Sequence, residues 1–299
     1  MSFYHEPVLL RESVDMLRID PSGVYVDLTF GGGGHSREIL RRLGPKGRLV
    51  AFDQDGDARA NLPDDKRLIF VESNFRFMRG QLRLHGFGQV DGVLADLGVS
   101  SHHFDTPERG FSFRFDGPLD MRMNSRGKLT AAKVVESYSA EELIRVFRDW
   151  GELQTPYKIA ACIERARAAS PITTIEGLVE AVKPCTPKKD GNKFLSKLFQ
   201  ALRIEVNGEM EALGMALEQS LKALAPGGRL VVISYHSLED RMVKNFMRSG
   251  RFDGTVEKDF YGVPQTPFSQ VDKAVTPPEE ELARNPRSRS ARLRAATKR

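Results

Sequence analysis

Apolar residues in the first hundred positions fall into short blocks separated by turn-forming residues. Val24–Leu28 (VYVDL), Leu49–Asp53 (LVAFD), Leu68–Val71 (LIFV) and Val93–Leu97 (VLADL) are each long enough for one strand. Between the first two, Ile39, Leu40 and Leu43 sit at helical spacing within Ser36–Leu43, and Gly44-Pro45 stops that helix. Such alternation of strand and helix predicts a parallel sheet covered by helices, and right-handed crossovers narrow it to doubly wound topologies. The alternation lapses after Leu97 and resumes only at Leu230–Ser234 (LVVIS), an interval far too long for one crossover helix.

That interval carries helix-start signals. Ser139 and Glu142 have capping-box spacing ahead of Leu143, Ile144 and Phe147, and Thr173 and Glu176 repeat it ahead of Leu178, Val179 and Val182. Thr155-Pro156 reads as an N-cap followed by proline at the first helical position. These signals predict an all-helical domain at 105–205 inserted into an α/β sheet domain formed by 1–104 and 206–299. A long helix follows, with Met210, Leu213, Leu217, Leu221 and Leu224 on one face, ended by Pro226-Gly227-Gly228. The stretch from Asp253 to Glu281, rich in proline, glycine and charge, reads as loop, and Ser290–Ala295 as a last strand.

Composition narrows the setting. No apolar run approaches the roughly 18 residues that cross a bilayer, and the N-terminus lacks the basic and apolar stretches of a secretory signal. Cys162 and Cys185 are the only cysteines among 299 residues, which argues against a disulfide framework and against a structural zinc site. The cytoplasm is the expected address, and no metal is expected. Net charge is +5, and seven Lys or Arg with no acid lie between Arg284 and Arg299. Lys183, Lys188, Lys189, Lys193 and Lys197 form a second basic stretch. Such runs fit a polyanionic partner or simply a solvated surface.

Candidate chemistry gathers at the strand ends. Asp27-Leu28-Thr29-Phe30-Gly31-Gly32-Gly33-Gly34-His35-Ser36 joins the first strand to the first long helix. Glycines there let backbone approach a ligand, and helix N-terminal amides point at its polar groups. A four-glycine run can also be only a flexible turn. A dinucleotide site wants a glycine where Ser36 stands, whereas an acid, three residues and then G-x-G fits Asp27 to Gly33 and S-adenosylmethionine. Asp53, twenty residues after Gly33, can accept from two ribose hydroxyls. Phe75, after the third strand, could pack on adenine or serve as a core aromatic. Asp96 ends the fourth strand, where open α/β sheets bind ligands.

Several blocks together resemble the MraW/RsmH family of ribosomal RNA cytosine-N4 methyltransferases. They are His5-Glu6-Pro7-Val8-Leu9-Leu10, Leu97-Gly98-Val99-Ser100-Ser101, Glu108-Arg109-Gly110-Phe111-Ser112-Phe113, Asp116 to Met123, Ser234-Tyr235-His236-Ser237-Leu238-Glu239-Asp240-Arg241 and Asn285-Pro286-Arg287-Ser288-Arg289-Ser290. The resemblance runs from one end of the chain to the other. It implies a class I (Rossmann-like) methyltransferase sheet with a helical, substrate-recognising insertion. It implies S-adenosylmethionine contacts at Gly33, Gly34, His35, Asp53, Phe75, Asp96 and His103, the last being glutamine in some relatives. It also implies methyl transfer to N4 of a cytidine in the decoding centre of 16S ribosomal RNA, within the small subunit, with a homodimer left open.

A cytosine amine is a poor nucleophile, so it needs an acceptor that orients it for in-line attack. Asp96, with Ser100 or the Leu97 carbonyl, is the expected orienting group. Asp96-Leu97-Gly98-Val99 lacks the aromatic that DNA amino-methyltransferases place here, so the extruded base must be held elsewhere. Phe111, Phe113 and Phe115, among Arg109, Arg114 and Arg122, could meet that base or form a packed linker. His236 could face the base, and Asn285, Arg287 and Arg289 could bind phosphates. A nicotinamide oxidoreductase and a non-catalytic RNA-binding assembly factor are the rival readings.

Overall fold

The computed structural model describes residues 7–99 and 104–299. Two compact units divide the chain: Met1–Gly98 with Met210–Arg299, and Val99–Glu209.

The first unit is built on a seven-stranded sheet. Its strands are β1 (Val24–Asp27), β2 (Arg48–Asp53), β3 (Leu68–Glu72), β4 (Val90–Asp96), β5 (Leu224–Ser234), β8 (Phe268–Val271) and β9 (Arg292–Lys298), in spatial order β3-β2-β1-β4-β5-β9-β8. β1 to β5 run parallel and β9 lies antiparallel between β5 and β8. The central strands are buried on both faces, which is why they read as apolar runs. Helices α1 (Leu10–Met16), α2 (Gly34–Arg42) and α3 (Met78–Leu84) belong to this half of the sequence, and α9 (Glu209–Ala223) and α10 (Ser237–Ser249) follow the insertion. Ile39, Leu40 and Leu43 of the α2 segment pack with Leu49, Leu94, Val231 and Leu293, so the predicted apolar face is the one buried.

Two expectations are corrected here. Leu224 belongs to β5 rather than to the helix: it already pairs with Val90, and Arg229 then pairs with Gly92. Pro226-Gly227-Gly228 is therefore an excursion within the strand, with Gly227 at φ +81°. The stretch 253–281 is also more than loop. It holds β8, a small hairpin of β6 (Glu257–Lys258) and β7 (Pro264–Gln265), and α11 (Glu279–Arg284) begins within it. Only Phe268 of β8 is buried, edge-to-face with Phe246, so the strand lacks any alternation to detect.

The second unit is helical: α4 (Ala131–Ser137), α5 (Ala140–Asp149), α6 (Pro156–Ala169), α7 (Ile175–Val182) and α8 (Gly191–Asn207). Ser139 and Glu142 form the expected capping box, with Glu142 N–H donating to Ser139 Oγ at 3.2 Å and Ser139 N–H to Glu142 Oε2 at 2.8 Å. At α7 the cap is Thr174, one residue later than predicted, because the Thr173 carbonyl is taken by Leu119 N–H. The Glu205 carboxylate accepts from Arg145, Tyr138 and Trp150, fastening α8 to α5.

Candidate functional site

Asp53, Asp27 and Asp96 end β2, β1 and β4, three adjacent parallel strands. Asp27 pairs with Ala51 on one side and Leu94 on the other, so all three acids lie at one rim. Connections leave β1 toward β2 and β3 on one side and reach β4 and β5 on the other, which makes the β1–β4 junction the switch point where such sheets open a crevice.

The glycine loop lines that rim. Gly31 and Gly33 have φ of +49° and +75°, conformations that favour glycine. A Cβ on Gly31 would meet nothing within 4 Å, so this side of the loop is open to a ligand. Gly34 is different: its Cβ would stand 2.0 Å from Pro7 Cγ, so internal packing demands glycine there. Helix α2 starts at Gly34 without a side-chain cap, and its first amides have no partner within the helix. Gly31 N–H and Asp55 N–H donate to the two oxygens of Asp53 at 2.8 and 2.9 Å. This fastens the acid to the loop.

Asp96 is the other anchor. Tyr235 Oη donates to Asp96 Oδ1 at 2.7 Å, and Asp96 N–H donates to Thr29 Oγ1 at 2.7 Å. His35 Nδ1 stands 3.8 Å from Asp96 Oδ2, while its Nε2 lies 3.1 Å from the Val8 carbonyl. The Asp96 side chain is 21% exposed. Burial lifts its pKa to about 6, against the lowering effects of His35 and of the Tyr235 hydrogen bond. Burial, and then the Asp96 charge, push the Tyr235 phenol well above its ordinary value, so it stays a donor. Asp27 is buried, and burial raises its pKa too. It accepts from Ser36 Oγ at 2.7 Å and Thr29 N–H at 3.0 Å, which ties β1 to α2 beneath the rim.

The MraW methylase family model matches residues 2–299. This chain belongs to the MraW methylase family. Curated relatives named ribosomal RNA small subunit methyltransferase H agree along its length. That of Parabacteroides distasonis is 58% identical over 99% of this chain and 98% of its own. That of Bacteroides fragilis is 58% identical over 99% and 97%. A solved putative rRNA-methylase from Clostridium thermocellum covers 98% of this chain and 96% of its own at 12% identity and TM-score 0.45, a likeness too distant to add to the family assignment.

Within this MraW-family chain the predicted residues divide. Gly33, Asp53 and Asp96 meet at the rim. His35 is buried, and its ring braces Asp96. Phe75 opens the 3-10 turn after β3 and lines a small apolar cavity with Leu28, Ala95, Leu97 and Leu217. Ser100 and His103 lie outside the described residues. His236 caps α10 with Nδ1, which faces Glu239 N–H at 3.4 Å. Asn285 is buried ahead of the 3-10 turn Pro286–Ser290, on which Arg287 and Arg289 are exposed.

Of the two readings of the aromatic segment, Phe111 and Phe113 show the packed one. Phe111 is 5% exposed in the core of the helical unit, and Phe113 packs edge-to-face on Phe199 at 5.4 Å. Arg109 donates to the Arg122 and Met123 carbonyls at 3.1 and 2.9 Å, bracing its own loop. Burial of those two rings pays for the segment's aromatic content, and only Phe115 is left largely in water. Tyr235 joins the site without any local sequence signal of its own. It stands two residues past Ile233, the β5 partner of Asp96, so strand register alone would have placed it there.

Proposed function

We propose that this chain transfers a methyl group from S-adenosylmethionine to N4 of a cytidine in the decoding centre of 16S ribosomal RNA. The observation that carries the reading is Asp96: a partly buried carboxyl, held by Tyr235 and braced by His35, at the switch point beside an open glycine loop. The names of the relatives support ribosomal RNA of the small subunit as substrate. The family blocks support the cytidine.

The rim fits the cofactor. Gly31 leaves room for it, and the Asp53 carboxylate suits ribose hydroxyls. The first amides of α2 suit a carboxylate, and Phe75 suits an adenine. Bound there, the cofactor supplies an electrophilic methyl carbon on a sulfonium sulfur. Asp96 accepts a hydrogen bond from the N4 amine and so aims the nitrogen lone pair. Asp96, or water beside it, would then take the proton that the methylated amine gives up. In this reading the helical unit recognises the substrate RNA, as naked RNA or within the small subunit, and the cytoplasm is the address. Labelled methyl transfer to small ribosomal subunits, followed by mapping of the modified nucleotide, tests the reading. Calorimetry that finds tight NAD binding and no S-adenosylhomocysteine binding would overturn it.

Two further outcomes follow. Asp96 orients the amine when ionised, so kcat rises with pH through about 6. The Tyr235 hydrogen bond lowers the Asp96 pKa, so Tyr235→Phe moves that acid limb to higher pH. A pH profile that does not move assigns Tyr235 to structure alone. Arg287→Ala with Arg289→Ala weakens RNA binding. It also flattens the plot of log affinity against log salt by about one to two units, as expected for two lost phosphate contacts. An unchanged slope removes both from the interface.

A further inference from the structure

The β6–β7 hairpin exposes what proteins ordinarily cover. Phe260 is 96% exposed and Tyr261 is 86% exposed, and Val263 beside them is also in water. Single exposed apolar residues are common, but two adjacent aromatics at one tip are an interaction surface. The tip is not loose. Asp259 Oδ1 accepts Tyr261 N–H and Val263 N–H, each at 2.9 Å, and Gln265 Nε2 reaches Asp259 Oδ2 at 3.3 Å. Asp259 and Val263 close the turn through their backbones at 3.0 Å, and Gly262 takes a φ of +82°. The rings stand 5.5 Å apart at 86°, so each keeps a free face and the two faces look in different directions.

The two exposed rings, with Lys258 beside them in sequence, bear on the occupant. Glu257 is paired with Arg251 at 2.7 Å, Asp253 accepts from Thr255 N–H and lies 3.5 Å from Arg251, and Asp259 is spent on the turn. Lys258, exposed on β6 next to Phe260, has no ion pair among the described residues. The tip therefore offers two aromatic faces and one exposed cation, Lys258, while Asp253 and Glu257 share Arg251 and Asp259 is engaged by the turn. Flat π-faces with a cation suit a nucleobase and its phosphate.

We propose that the hairpin tip is a single-stranded RNA-binding site, in which Phe260 and Tyr261 stack on unpaired bases and Lys258 meets a neighbouring phosphate. This rests on the reading of the chain as a ribosomal RNA methyltransferase, and it adds a contact outside the cofactor rim. The site holds a loop or an unpaired strand of the substrate, since bases inside a duplex have no free face to offer.

The test uses the full chain. Phe260→Ala with Tyr261→Ala lowers affinity for a short unstructured RNA, and for the small-subunit RNA transcript, by about tenfold or more. Phe260→Trp with Tyr261→Trp restores it. Lys258→Ala reduces the salt dependence by about one phosphate contact. Binding of S-adenosylhomocysteine is unchanged in all three, because no hairpin residue lines the rim. Unchanged RNA affinity in the double alanine variant overturns the proposal. So does a loss confined to assembled subunits with naked RNA bound normally, which would assign the tip to a ribosomal protein. Loss of self-association without loss of RNA binding would assign it to a second copy and overturn it too. Failure of the wild-type chain to methylate subunits counts against the function proposed above, while the RNA-binding arm is read independently of it.

Discussion

Asp96→Asn lowers methyl transfer to small subunits by about 10² to 10⁴, the usual contribution of a positioned acid–base group. Asparagine keeps the shape and one acceptor oxygen, so the Tyr235 hydroxyl still has a partner and the fold is retained. What disappears is the charge that accepts from the amine, and in its place stands an amide that can itself donate. Such an N–H directed at another N–H group holds the base in the wrong pose. S-adenosylhomocysteine affinity changes by less than tenfold, because the glycine loop and Asp53 are untouched. The measurement pairs single-turnover transfer with calorimetry, so that a chemical defect separates from a binding one. Full turnover with normal cofactor binding would remove Asp96 from the reaction and leave it a structural acid. The environment argues otherwise. Asp27, whose pKa burial also raises, is wholly buried and tied to Ser36 and Thr29, whereas the Asp96 side chain stays 21% exposed at the rim.

The parts of this architecture that were legible in the sequence are those where burial dictates residue type on both faces. β1, β2 and β4 are buried apart from strand-end residues and Asp91, so Val24–Asp27, Arg48–Asp53 and Val90–Asp96 could be read within a few residues. β8 could not, because one buried phenylalanine makes no pattern. Strand ends located Asp27, Asp53 and Asp96, and the glycine loop located itself. Residues whose role depends on a distant partner were harder. Nothing near Gly34 in the sequence marks its clash with Pro7, and nothing near Phe113 announces Phe199. His236 looked available because it follows a strand, yet a residue that follows a strand and precedes a helix is also where a cap belongs, and it caps. Tyr235 is the instructive omission. Its contact with Asp96 crosses 139 positions and follows from β4 and β5 being neighbours, a fact of topology rather than of local pattern.

Arg229→Met destabilises the sheet unit by about 3 to 5 kcal/mol. Arg229 is 3% exposed and is the first residue of β5 after the Pro226-Gly227-Gly228 excursion. Its guanidinium donates to the Met16 carbonyl at 2.7 Å, to Thr297 Oγ1 at 2.6 Å and to the carboxylate of Asp272. One side chain thus ties the end of α1, the neighbouring strand β9 and the segment after β8 to the strand that delivers Tyr235. Methionine fills much of the space but satisfies none of the three acceptors, and Asp272, itself mostly buried, is left with an uncompensated charge. Most of the loss is the cost of that stranded carboxylate rather than the worth of the ion pair. Arg229→Met with Asp272→Leu should therefore recover the larger part of it. Urea unfolding followed by a probe in the sheet unit reads this as a midpoint lowered by about 1 to 2 M in the single variant and largely restored in the double. A single variant within 1 kcal/mol of the parent would mean that water reaches Asp272 readily and that β5, β8 and β9 are held together by their ladders alone.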